Sequence, residues 1–172
     1  MGRLILITGG ARSGKSACAE SLIGTGSATP VTYLATAEAL DEEMAERIRR
    51  HRARRPPHWR TIEAPRDADR RLARSVRRNG WIILDCLTIF LANVLEEQTD
   101  EAILERVEAM AAAAADGRAG TIVVTNEVGS GIVPENAAAR RFRDLAGLAN
   151  QAVARRAGEV YFTVAGLAQR IK

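Results

Sequence analysis

Between the apolar run Leu4-Ile5-Leu6-Ile7 and the helix-compatible stretch Ala17 to Ile23 lies Gly9-Gly10-Ala11-Arg12-Ser13-Gly14-Lys15-Ser16, a full match to GxxxxGK[ST]. Strand, glycine loop and helix in that order is the setting this pattern requires, and it belongs to α/β architecture. Backbone N–H groups of such a loop converge on phosphates, the helix N-terminus adds positive potential, and the Ser16 hydroxyl is placed for Mg²⁺.

Residue usage supports phosphate binding over a glycine turn that binds nothing. Lys15 is one of only two lysines, against 23 arginines. A compact, flexible ammonium reaches between the β- and γ-phosphates where a planar guanidinium fits poorly. At 172 residues the chain suits one catalytic domain, 1–172, and its 47% hydrophobic but 4% aromatic content implies an aliphatic interior. Net charge is +4, yet seven arginines crowd between Arg47 and Arg60. Such a cluster suits nucleic acid or a polyphosphate; without an aromatic ladder, the small anion is favoured. Cys18 and Cys86 lack CxxC spacing and a secretory leader, which points to reduced thiols and a cytoplasmic location. The apolar stretch Trp81 to Leu95 is interrupted by Asp85 and Asn93 and is too short to span a membrane.

Further strands are expected at Val31 to Ala35, Trp81 to Leu84, Thr121 to Thr125 and Val160 to Val164, with a short extended segment from Trp59 to Glu63. Helices are expected at Glu38 to Arg54, Ala68 to Arg77, Glu101 to Ala115 and Glu135 to Ala157. The alternation predicts a P-loop NTPase-like fold, a mainly parallel sheet with helices on both faces. The second helix is the most legible. Thr36 offers an N-cap, acidic residues 41–43 complement its positive end, arginines gather toward its negative end, and Pro56-Pro57 stops it.

Several side chains stand out as chemistry. Asp85 ends an apolar strand, as the second strand next to a phosphate loop often does, and is a candidate Mg²⁺ ligand with Ser16. His51 continues the stripe Leu40, Met44, Ile48, so it is either a core histidine or a residue facing a cleft. The neighbouring Arg47, Arg50, Arg52, Arg54 and Arg55 would hold phosphate oxygens beside a nucleophilic imidazole, or form an ordinary solvated face. His58 reads as a loop residue near Trp59. Glu63 is either an acceptor for a guanine edge or a surface carboxylate. Asn126 and Glu127 open a long glycine-bearing loop after a strand, where the ligand crevice of an open α/β sheet lies.

Together these residues resemble the bifunctional adenosylcobinamide kinase/adenosylcobinamide-phosphate guanylyltransferases of cobalamin assembly. The resemblance rests on the loop Thr8 to Ser16, on Tyr33-Leu34-Ala35-Thr36-Ala37, and on Asp41-Glu42-Glu43-Met44 with Arg47-Ile48 and His51. It continues through Arg55-Pro56, Trp59 to Glu63, Thr125 to Gly129 and Gly131 to Asn136, and extends to the ending Gly166 to Lys172. Asp85 departs slightly, standing where the family can carry Glu.

The resemblance implies two reactions. ATP or GTP phosphorylates the aminopropanol hydroxyl of adenosylcobinamide, and GMP from GTP is then transferred to that phosphate, giving adenosylcobinamide-GDP. It implies that His51 is guanylylated and that Lys15 serves the triphosphate. Nucleotide contacts would come from Gly9, Gly10, Ala11, Arg12, Ser13, Gly14, Lys15 and Ser16, from Ala35, Thr36 and Ala37, from Arg52, Ala53, Arg54 and Arg55, and from Glu63 and Asp85. A homo-oligomeric state is implied by the same resemblance, whereas Mg²⁺ is expected from the phosphate loop with Asp85, and the absence of nucleic acid partners from the missing aromatic ladder. The alternatives are a monofunctional small-molecule kinase with a structural His51, and a nucleotide-gated module whose basic helix docks nucleic acid.

Overall fold

A computed structural model describes residues 2–24 and 28–172. Along the chain run β1 (Leu4–Gly9), α1 (Lys15–Ile23), β2 (Val31–Ala35), α2 (Glu42–Ala53), β3 (Arg60–Glu63), α3 (Ala68–Ser75) and β4 (Trp81–Asp85). After them come α4 (Leu87–Val94), α5 (Asp100–Asp116), β5 (Gly120–Val124), α6 (Ala137–Arg156), β6 (Glu159–Val164) and β7 (Leu167–Arg170). The strands form one sheet in the order β3-β2-β4-β5-β1-β6-β7. Every pairing is parallel except that of β6 with β7.

The apolar strands are continuous, not alternating, because both faces of the sheet are covered. Leu4 and Leu6 of β1 point into one core with Ile82, Leu84 and Val123, beneath α3, α4, α5 and α6. Ile5 and Ile7 point into the other, with Tyr33, Ile83 and Ile122, beneath Ala19 and Ile23 of α1. The polyalanine stretch is ordered: Ala111 and Ala114 of α5 are fully buried, their small side chains allowing close packing.

Three sequence expectations are corrected. Helix α2 starts at Glu42, not Glu38, and its cap is Asp41, which accepts a hydrogen bond from the Met44 amide at 2.7 Å. Thr36 is buried instead, donating its hydroxyl proton to the Cys86 carbonyl and accepting from the Cys86 amide, which locks β2 to the end of β4. Helix α4 occupies an apolar run that carried no helix expectation. It is buried around much of its circumference, so its sequence shows no 3.6-residue stripe, and Asn93 satisfies the carbonyls of Thr36 and Pro65. The third concerns β4, which is not a neighbour of β1, since β5 lies between them.

Strand β7, an exposed edge strand, follows β6 through Ala165 and Gly166, whose φ angles of 52° and 81° make the reversal. The β6-β7 hairpin braces the phosphate loop. The Gly166 amide donates to the Ser13 carbonyl at 3.0 Å, and the Ser13 and Thr163 hydroxyls lie 2.8 Å apart. Gly9 sits so tightly against β6 that a Cβ there would meet the Thr163 carbonyl oxygen at 2.3 Å. Because that oxygen belongs to backbone, Gly9→Ala is expected to destabilise the fold by about 1–3 kcal/mol. An unchanged urea midpoint would refute this account of the brace.

Candidate active site

The loop Gly10 to Gly14 leaves β1 and turns into α1 through Gly14, whose φ of 100° is left-handed and supplies no side-chain cap. The first amides of α1 therefore remain available to an anion. Lys15, the first residue of α1, folds back over the loop. Its Nζ donates to the Gly10 carbonyl at 2.6 Å and lies 3.5 Å from Ser13 Oγ. Burial pushes the ammonium below its ordinary range, and the attraction of Cys86 and Asp85 does not offset it. The loop thus holds a desolvated positive charge with no carboxylate bonded to it among the described residues.

Asp85 organises the next layer. Its Oδ2 accepts from Ser16 Oγ at 3.0 Å and from the Tyr33 hydroxyl. Desolvation, reinforced by the Asp85 charge, pushes the Tyr33 phenol upward, so it stays protonated and donates. Both bonds fall on Oδ2, which leaves Oδ1 without a protein donor among the described residues. Although β5 separates β4 from β1, Ser16 reaches Asp85 because it lies on α1, which packs across the sheet toward β4.

Helix α2 contributes the opposite wall and has no buried residue. The stripe read as possible core is therefore not core: Leu40 is 84% exposed, while Met44, Ile48 and His51 line the cleft. The His51 imidazole is exposed and makes no hydrogen bond among the described residues. The end of α2 is anchored by three arginines. Arg52 pairs with Glu63 at 3.7 Å, and Arg54 approaches Glu20 of α1 at 3.9 Å. Arg55 lies 3.5 Å above the Tyr33 ring and donates to Thr61 at 3.2 Å, while its Nε is buried without a partner among the described residues. Burial raises the Glu20 carboxyl, and Arg54 acts against that shift.

The resulting cavity of about 540 Å³ is lined from one side by Ala11, Arg12, Lys15, Ser16 and Asp85, and from the other by Arg47, His51, Arg52 and Arg55. Ala35, Ala37 and Glu63 close its end. Gly9, Gly10, Ser13 and Gly14 shape the loop without lining the cavity, as Ala53 and Arg54 shape the helix end; Thr36 lies beneath the wall. Asn126 lines the cavity and is held by Thr88, to which its amide donates, and by Asn150, which donates to its carbonyl. Glu127 instead turns into its own loop, accepting from the Gly129 amide. Tyr33 and Thr61 had no sequence signal as site residues, because each reads as an ordinary strand position and acts by contacting Arg55.

Ser16 and Asp85 fit Mg²⁺: two hard oxygen groups stand together beside a phosphate loop, and this ion takes few protein ligands, completing its shell with phosphates and water. No cluster of three or more metal-binding His, Cys, Asp or Glu residues occurs among the described residues.

The desolvated ammonium yields a stability prediction. Lys15 titrates lower when folded than its ordinary 10.5, so the unfolded chain binds the proton more strongly and stability rises with pH through the interval below 10.5. Lys15→Met should melt no lower than wild type without nucleotide and should lose the nucleotide-dependent rise in melting temperature. A clear drop in the melting temperature of the nucleotide-free variant would contradict the desolvation cost assigned to Lys15.

The family described as cobinamide kinase / cobinamide phosphate guanyltransferase matches residues 5–171. Two relatives, each named bifunctional adenosylcobalamin biosynthesis protein CobU, from Salmonella typhimurium and Escherichia coli, are 45% and 43% identical over 182 residues. Each alignment covers 98% of this chain and 99% of the relative. The corresponding protein CobP of Pseudomonas aeruginosa is 43% identical, covering 97% of this chain and 96% of its own. Among solved structures, an ATPase from the type III secretion system of pathogenic bacteria matches with a TM-score of 0.57 at 13% identity. That match covers 94% of this chain and 51% of the ATPase, and concerns the fold alone. Matched almost from end to end, the chain belongs to the cobinamide kinase / cobinamide phosphate guanyltransferase family.

Proposed function

We propose that this protein phosphorylates the aminopropanol hydroxyl of adenosylcobinamide with ATP or GTP and then transfers GMP from GTP, through guanylyl-His51, to give adenosylcobinamide-GDP in cobalamin biosynthesis. The observation that carries this reading is the shared cavity: a phosphate loop forms one wall and the exposed imidazole of His51, flanked by Arg47 and Arg52, forms the other. A kinase requires only the first wall. An unbonded imidazole facing it provides the additional nucleophile that nucleotidyl transfer requires.

In the first reaction the substrate hydroxyl attacks the γ-phosphorus, the bond to the β-phosphate oxygen breaks, and the nucleoside diphosphate leaves. Lys15 and the loop amides hold the phosphates in line, and Ser16 with Asp85 holds Mg²⁺. When bound, Mg²⁺ neutralises charge on the phosphate oxygens. In the second reaction an imidazole nitrogen of His51 attacks the α-phosphorus of GTP and pyrophosphate leaves. The substrate phosphate then attacks the guanylyl phosphorus, breaking its bond to His51. Arg52 and Arg55 stabilise charge on the transferring group, and Glu63 accepts from the guanine edge. Action as one domain in a cytoplasmic homo-oligomer belongs to the same proposal.

His51 should form a GMP adduct when the protein is incubated with GTP and Mg²⁺, visible in the intact mass and released by acid. Because its side chain is exposed and unbonded, His51→Ala should keep its stability within about 0.5 kcal/mol and retain the kinase half. Guanylyl transfer should fall by roughly 10³-fold or more. No adduct on wild type, with GTP binding verified by calorimetry, would reduce the function to a kinase.

A further inference from the structure

A second cavity, of about 330 Å³, opens at the opposite end of the sheet, where β2, β3 and β4 begin. Val31 and Trp81 start their strands there, whereas Ala35 and Asp85 end the same strands in the active site. Four residue steps of strand, on the order of 13 Å, separate the two ends. This cavity is therefore not an extension of the nucleotide cleft.

Its lining contains four arginines, Arg60, Arg71, Arg74 and Arg78, together with His58 and no carboxylate. Arg71 is bound to Asp67 at 2.7 Å. The guanidinium groups of Arg60, Arg74 and Arg78 have neither an ion pair nor a hydrogen bond among the described residues. The arrangement is unusual for this chain, whose other arginines largely hold carboxylates, as Arg106 holds Asp69, Arg141 holds Asp100 and Arg155 holds Glu108. Arg74 could be assigned to the negative end of α3, but Arg60 lies on β3 and Arg78 lies beyond the helix, so the helix dipole does not account for them. The floor is apolar, built from Ile62 and Ile82 on the sheet face that α3 covers, while the Trp81 ring turns to the opposite face beneath Arg3 and Trp81 only borders the cavity.

We propose that this cavity is a second, non-catalytic binding site for a small phosphate-bearing anion. Unpaired guanidiniums grip phosphate oxygens in bidentate fashion, and their mutual repulsion is relieved when an anion enters. The concave shape and the volume, near the lower end of small-molecule sites, suit an inorganic polyphosphate or a nucleotide. An extended polynucleotide would need a longer basic track and several stacking rings.

The chain has two tryptophans, so Trp59→Phe makes Trp81 the sole fluorescent reporter. That substitution removes a buried indole N–H with no partner among the described residues, which favours retention of the fold. In this background, with Lys15→Met added to weaken the phosphate loop, sodium pyrophosphate and GMP are titrated separately without Mg²⁺. A saturable change in Trp81 emission with pyrophosphate alone identifies an inorganic polyphosphate site, and at least tenfold tighter binding of GMP identifies a nucleotide site. Either response should weaken at least tenfold in Arg60→Ala/Arg74→Ala/Arg78→Ala. Calorimetry on the otherwise native chain provides a second measurement, because the triple variant should lose one pyrophosphate site and retain the one at the loop. The proposal is overturned if neither anion gives a saturable response, if the triple variant binds as wild type does, or if only an oligonucleotide alters Trp81 emission.

Discussion

One carboxylate oxygen, Oδ2 of Asp85, is the point at which the separate parts of the catalytic cleft meet. It receives Ser16 from α1 and Tyr33 from β2, while the face of Tyr33 carries Arg55 from just beyond α2. Through that oxygen, the end of β4 fixes the Ser16 hydroxyl, the floor of the cleft and the root of the helix bearing His51. Partly buried hydrogen bonds to a charged acceptor are among the stronger polar contacts, so this junction holds geometry that the loops alone would leave loose. The sheet makes it possible by presenting the carboxyl ends of β1, β2, β3 and β4 on one side.

The two walls of the cleft are supported very differently. The phosphate loop is held by backbone and small side chains, with Gly9 packed against Thr163 and the Ser13 carbonyl receiving the Gly166 amide. Lys15 is thereby kept partly desolvated, at a cost to the stability of the fold. Helix α2 has no apolar face in the core and is tied down mainly at its C-terminal end, through Arg52, Arg54 and Arg55. Its exposed face also carries the i,i+4 pairs Glu43–Arg47 and Glu46–Arg50, which support the helix locally and contribute little to holding it on the domain. A wall built this way presents His51 and its arginines to the cleft without burying them.

Much of this organisation was legible in the residues. The loop, the strand ending in Asp85, the Pro56-Pro57 stop and the crowding of arginines near His51 all identified real elements, because each depends on local chemistry or short-range spacing. The misreadings came from longer range. Thr36 resembled a cap because Thr commonly caps helices, yet its hydroxyl is used by Cys86, fifty residues away. The apolar stretch after Asp85 hid α4, since a helix covered on several sides has no stripe to read. His51 continued an apolar pattern whose other members face a cavity and solvent, and periodicity distinguishes one face of a helix from another without saying what lies opposite.

The sequence by itself determined the phosphate loop, the parallel α/β architecture and the family, because glycine conformation, strand hydrophobicity and motif spacing are encoded within a few neighbouring residues. Only the tertiary structure decided that β5 separates β1 from β4, that Tyr33 joins Asp85 to Arg55, and that His51 and Lys15 line one cavity. It also decided that Arg60, Arg74 and Arg78 share a second cavity while the arginines of α2 surround the first. These facts depend on which strand lies beside which, a property set by packing of the whole sheet, and no local pattern of residues contains it.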